Sequence, residues 1–304
     1  MPILFHHPSM SELAHDVAKK ANVPLGEISW QTFPDGWPDL FIRDVRSVRQ
    51  EKVVLLASFE SPCSVIEQFA VIEAFPRYFA ASLQIVLPFF PVGTMERIDR
   101  DGEVPTAVTM SRLLSSVSPC RPGGPTLITT FDIHALQERF YFGDMVIADL
   151  QSAIPLLKTR LSETEPDTLA IAFPDDGARK RFGHFFPELP LILCDKRRNG
   201  DRRDVRITEG DPAGRNVVIV DDLIQTGGTM VEAARALRRA GATTVSAYAT
   251  HGVFPDEAWN RFSPDLFDRV WITDSCPHIA KRIQGLEHFE LLSLSPLIVD
   301  CLLA

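Results

Sequence analysis

The sequence predicts an α/β protein built from two similar domains, each a mostly parallel sheet flanked by helices. Two observations carry that expectation. Apolar runs of strand length alternate with segments of helical period, as in βαβ units, and the alternation occurs once in each half of the chain. The length of 304 residues also exceeds what one compact domain usually needs.

In the first half, Val53–Ala57 reads as a strand, 64–80 as a helix and Ile85–Phe89 as the next strand. In the second half, Val217–Val220 is a strand, Thr229–Ala240 a helix stopped by Gly241, and Val245–Ala249 the following strand. Leu127–Thr130 and Leu169–Phe173 read as further buried strands, each running into polar residues. In open parallel sheets, ligands bind beyond the carboxyl ends of strands, so that placement points to chemistry. The run from Arg121 to Pro125 is a surface turn. The boundary is expected after residue 148, giving an N-terminal domain over 1–148 and a C-terminal domain over 149–304, with the last helix returning to the first domain.

Composition removes several classes of function. Hydrophobic residues make up 45% and charged residues 23%, as in folded globular proteins, and no tract is poor enough in apolar residues to suggest long disorder. A formal charge of −9 argues against a nucleic-acid binder, which needs many Lys and Arg against phosphates. A small anionic substrate needs only a local basic cluster. The five cysteines (Cys63, Cys120, Cys194, Cys276, Cys301) are scattered and form no C-x-x-C pair, which suits a reducing cytoplasm. The apolar stretch Leu291–Leu303 is short and broken by Pro296 and Asp300, so no membrane association is expected.

The strongest local signal is Val217–Thr229: an apolar strand, two acids (Asp221, Asp222), then Gln225-Thr226-Gly227-Gly228-Thr229 opening a helix. Glycines let backbone approach an anion closely, the free N–H groups of a helix start donate to it, and the threonine hydroxyls add donors. The adjacent carboxylates suit the vicinal hydroxyls of a ribose held by its 5-phosphate. The combination resembles the phosphoribosyl-diphosphate motif of the type I phosphoribosyltransferase fold, which leaves enzymes that make that compound and enzymes that use it both open.

Four further segments, in order along nearly the whole chain, resemble the ribose-phosphate diphosphokinase family (phosphoribosyl diphosphate synthetases). They are Phe33-Pro34-Asp35-Gly36, Phe131–Gln137, Phe173–Arg181 and Ala249-Thr250-His251-Gly252. The resemblance implies transfer of the β,γ-diphosphoryl group of ATP, or another nucleoside triphosphate, to the 1-hydroxyl of ribose 5-phosphate. It implies magnesium held by His134 and Asp175, with Asp132 beside them, and a nucleotide held by Phe33, Asp35, Gly36, Trp37, Arg97 and His134. Ribose 5-phosphate falls to Asp221, Asp222, Gln225, Thr226, Gly227, Gly228 and Thr229. Asp132 and His134 follow a strand, so both are expected to project from one edge. The run 195–203 holds five basic residues in nine, and family spacing puts the catalytic pair at Lys196 and Arg198, on an arm that closes over the triphosphate. A homo-oligomer is also implied.

The chain departs from the commonest family pattern at three places. Trp37 stands where Glu is usual, Thr94-Met95 replace an Arg-Gln pair that contacts ATP while Arg97 and Arg100 remain, and Gln225 replaces an acid. With Phe131–Phe142 and Phe173–Gly177, these departures resemble the plant-type second class, which implies a broad nucleotide range and independence from phosphate activation and ADP allostery. Two alternatives stay in view. A non-catalytic synthetase-associated partner would have lost the residues named above, and a base phosphoribosyltransferase would release diphosphate from phosphoribosyl diphosphate.

Overall fold

The computed structural model describes residues 1–43, 45–121, 123–163, 168–199 and 202–303. The chain divides into two compact units: Met1–Ser152 with Leu294–Ala304, and Ala153–Ser293.

The first unit contains a five-stranded parallel sheet in the order β1-β4-β5-β6-β7, from Ile3–His6, Lys52–Leu56, Ser82–Val86, Thr126–Phe131 and Val146–Gln151. Its inner strand β4 is a near-continuous apolar run because both faces of a parallel sheet are covered: Val53, Val54, Leu55 and Leu56 are all fully buried. Helix α2, Pro62–Arg77, starts at a reciprocal cap in which the Ser61 and Ser64 hydroxyls each accept from the other's backbone N–H. An antiparallel hairpin, β2 (Ile28–Thr32) with β3 (Pro38–Ile42), forms a separate two-stranded sheet. Helix α8, Ser295–Leu303, also belongs to this unit: it contacts α1 (Ser11–Ala21), and its carbonyls at Cys301 and Leu302 accept from Gln84 Nε2 at 3.4 Å and Lys52 Nζ at 3.3 Å.

The second unit is a seven-stranded sheet in the order β10-β9-β8-β11-β12-β13-β14. The strands are Leu169–Phe173 (β8), Leu191–Asn199 (β9), Arg202–Glu209 (β10), Asn216–Ile224 (β11), Thr244–Gly252 (β12), Val270–Thr273 (β13) and Phe289–Leu292 (β14). All neighbours are parallel except β10, which returns antiparallel along β9. The two faces bury different side chains, as alternation requires. Val217, Ile219, Val245 and Ala247 meet α6 (Gly228–Arg239), while Val218, Val220, Tyr248 and Trp271 meet α4 (Ile154–Leu161) and α5 (Asp176–Phe182).

From β8 the chain moves outward to β9 and β10, then returns to place β11 on the other side of β8. This reversal opens a crevice at the carboxyl ends of β8 and β11, where open α/β sheets take their ligands. The first unit's strand order runs monotonically and contains no such reversal.

Among the described residues, no helix is long and apolar enough to cross a membrane.

Candidate active site

The acids of the second unit gather at that crevice. Asp175 follows β8 and caps α5, its Oδ1 accepting from the Ala178 N–H at 3.0 Å. Asp221 and Asp222 lie inside β11 rather than after it. The strand continues to Ile224 because β12 pairs with it as far as Gly252, whereas its pairing with β8 stops at Ile219. Past Ile219, one edge of β11 is therefore free of β8, and that is where the acids sit.

Their electrostatics are strained. Burial pushes the Asp221 carboxyl well above the usual carboxylate range, and the neighbouring Asp222 and Asp175 charges push it further. Asp222 is 5% exposed overall and is held by the Arg181 guanidinium of α5 at 3.2 Å. The Asp222 N–H donates to Asp221 Oδ1 at 3.0 Å. A raised carboxyl favours the protonated form in the folded state, so stability contributed by this site is present below pH about 4 and is lost as pH rises through the folded value. Asp221→Asn should therefore raise the melting temperature of the ligand-free protein at pH 7.5, with the gain fading towards pH 4. A melting curve at pH 7.5 unchanged or lowered by the substitution would contradict this charge arrangement.

After β11, Gln225 and Thr226 are exposed and Gly227 turns the chain into α6. Gly227 has φ +71°, and a Cβ there would fall 2.4 Å from the Phe262 ring, so the turn requires glycine on two counts. Thr229 lies in the first turn of α6. The turn thus presents the amides of a twelve-residue helix start.

The described residues of the basic run, 195–199 and 202–203, fall on the β9–β10 ribbon, with Lys196 paired to Val205 and Arg198 to Arg203. The side chains of Lys196 and Arg198 lie outside the described residues.

In the first unit, residues 33–37 close the β2–β3 hairpin. The Phe33 N–H donates to the Trp37 carbonyl, Gly36 has φ +90°, and Asp35 Oδ1 accepts from the Trp37 N–H at 3.2 Å. Phe33 and Trp37 are 49% and 64% exposed, two aromatic surfaces at one hairpin tip. Arg97 is exposed and paired with Asp99 at 3.1 Å.

Asp132 and His134 differ from the expected side-by-side pair. Asp132 is 4% exposed with a left-handed φ of +36°, whereas His134 is exposed. The chain turns sharply at the end of β6 and carries the first side chain inward. Asp132 and His134 belong to the first unit and Asp175 to the second.

Three contacts had no role in the sequence analysis: Arg181 on Asp222, Phe262 packed against Gly227, and Arg261 Nη1 on the Thr226 carbonyl at 3.2 Å. The glycine at 227 is a sequence signal only for the Phe262 packing; the two arginine contacts have none.

Comparison with known proteins gives two family models. The N-terminal domain of ribose phosphate pyrophosphokinase matches residues 2–117, and the phosphoribosyl synthetase-associated domain matches 201–302. Ribose-phosphate pyrophosphokinase 3, chloroplastic, of Oryza sativa subsp. japonica is 48% identical over 99% of this chain and 75% of its own length. The mitochondrial ribose-phosphate pyrophosphokinase 3 of Spinacia oleracea is 49% identical over 96% and 74%. The crystal structure of phosphoribosylpyrophosphate synthetase from Mycobacterium smegmatis superposes with a TM-score of 0.84 at 28% identity, covering 100% of this chain and 98% of that one. The expectation of a cytoplasmic location does not stand, because these plant relatives carry chloroplast and mitochondrion in their names. Scattered thiols require only a reducing surrounding, which an organelle interior also supplies.

Proposed function

We propose a course of reaction from one premise: the chain belongs to the ribose-phosphate pyrophosphokinase family. It is a diphosphotransferase that converts ribose 5-phosphate and ATP into phosphoribosyl diphosphate and AMP, a supply step for nucleotide biosynthesis. The convergence of Asp175, Asp221 and Asp222 on the switch-point crevice, directly before an amide-rich turn, supports the placing of the sugar phosphate.

In this reading the 5-phosphate rests on Gln225–Thr229, and Asp221 and Asp222 accept from the ribose hydroxyls. The ribose 1-oxygen forms a bond to the β-phosphorus as the bond from that phosphorus to the α-bridging oxygen breaks. AMP leaves with the bridging oxygen, and the proton of the 1-hydroxyl passes to solvent. Lys196 and Arg198 place positive charge against the oxygens of the transferring group, and position and electrostatics supply most of the rate. Phe33 and Trp37 offer faces to the base, while Asp35, Gly36, Arg97 and His134 complete the nucleotide contacts.

The acid cluster fits a divalent cation in one respect: its carboxyls disfavour one another's charge, which a cation relieves. Among the described residues, no three acidic, histidine or cysteine side chains form a ready-made metal cage. Magnesium characteristically uses one or two protein carboxylates with substrate phosphates and water. The family resemblance assigns it to His134 and Asp175, with Asp132 as a further candidate. When bound it neutralises charge on the phosphoryl oxygens. Active sites completed across subunits of a homo-oligomer belong to the same reading.

The test is to incubate the protein with ribose 5-phosphate, Mg²⁺ and, in turn, ATP, GTP and CTP, and to identify products by mass. Phosphoribosyl diphosphate with the nucleoside monophosphate is expected. A nucleoside diphosphate as sole nucleotide product would defeat diphosphoryl transfer.

A further inference from the structure

We infer that Arg261 is an additional ligand of the 5-phosphate, supplying a full positive charge to a turn that otherwise offers neutral donors. This deepens the proposed function and rests on its placing of ribose 5-phosphate at residues 225–229.

The segment after β12 is built against that turn. The Ile224 carbonyl, the last of β11, accepts from the Val253 N–H at 2.9 Å and from the Phe254 N–H at 3.3 Å. Phe254 has a left-handed φ of +40° and is buried against Trp259, Phe262 and Phe289. Asp256 and Glu257 are also left-handed, at φ +51° and +58°. Such conformations are costly for residues with side chains and persist where surrounding packing fixes them. The path they fix brings Phe262 under Gly227 and, one residue earlier, Arg261 onto the Thr226 carbonyl.

The charge of Arg261 is not cancelled locally. Two other arginines of this unit are committed to carboxylates, Arg282 to Glu257 at 2.6 Å and Arg181 to Asp222 at 3.2 Å. Arg261 forms no ion pair among the described residues, and its one hydrogen bond is to a neutral carbonyl. A guanidinium has five N–H donors in a planar fork suited to phosphate oxygens, so most of its donor capacity remains available. Gln225, at the mouth of the turn, contributes no opposing negative charge. The contact to Thr226 keeps the guanidinium at the turn before any anion arrives, which lowers the entropy lost on binding.

Calorimetric titration of ribose 5-phosphate without nucleotide tests this, using wild type, Arg261→Gln and Arg261→Lys. Loss of a charge-assisted hydrogen bond to phosphate predicts Kd raised about tenfold or more in Arg261→Gln. Arg261→Lys should recover part of the loss, and the salt dependence of Kd should flatten in Arg261→Gln. In turnover, KM for ribose 5-phosphate should rise while KM for ATP stays within about twofold. An unchanged Kd in Arg261→Gln would overturn the inference. So would a loss of ribose 5-phosphate and ATP affinity in equal proportion with a lowered melting temperature, the mark of a merely structural role. The titration needs no turnover, so the two readings fail separately. Binding through Arg261 without phosphoribosyl diphosphate production would sink the assigned function, whereas production with Arg261→Gln binding unaltered would sink only the role of Arg261.

Discussion

Lys196→Ala is expected to lower kcat by about 10²–10⁴-fold while changing the affinity for ribose 5-phosphate by less than about threefold. In the proposed reading the sugar phosphate rests on the turn after β11, whereas Lys196 belongs to the β9–β10 ribbon on the other side of β8. Its proposed work begins only when charge builds on the transferring phosphoryl oxygens, and an interaction made only then appears in kcat rather than in ground-state binding. Single-turnover rates together with a ribose 5-phosphate titration would check it. A variant that loses affinity and rate in the same proportion would remove Lys196 from the transition state and leave it a binding residue.

The largest expected effect on stability comes from Arg181→Ala. The side chains of Arg181 and Asp222 are 13% and 8% exposed, so solvent screens the pair little. Removing one member of a buried pair leaves a desolvated charge, at a cost of about 3–5 kcal/mol. Here the stranded carboxylate would also stand beside Asp221, whose own ionisation its charge already opposes. Urea unfolding of the ligand-free protein should show the loss, and Arg181→Met with Asp222→Asn should be less destabilised than Arg181→Ala alone. A loss below about 0.5 kcal/mol in the single variant would mean that the pair behaves as a solvated surface contact.

The parallel cores were legible because buried strands are written as short uninterrupted apolar runs. Val53–Ala57 against Lys52–Leu56 and Leu169–Phe173 differ from the structure by at most one residue at an end. The β2–β3 hairpin and the half-buried edge strands β7 and β14 carry no such run, and the buried strands β1 and β13 are only four residues long; none of these is among the strands expected from the sequence. The turn at 225–229 could be read because its chemistry is local: glycine, threonine and a helix start, adjacent in sequence. The contacts that support it join residues 35 and 41 positions apart, Arg261 to Thr226 and Arg181 to Asp222, and no periodicity encodes such pairings. Asp132 was misplaced for the opposite reason. A single left-handed residue redirects a side chain without changing the pattern around it. The cellular compartment was misread because thiol spacing reports redox surroundings, not an address.

The first unit is discontinuous in the chain: α8 joins it only after the whole of Ala153–Ser293 has intervened. During synthesis, the apolar surface that receives Leu294, Ile298 and Leu302 is made long before those three side chains exist. The second unit is continuous in sequence, whereas the first keeps an uncovered face until the segment from Leu294 is made. The half that is begun first therefore depends for its last core side chains on residues made after the whole of the other half.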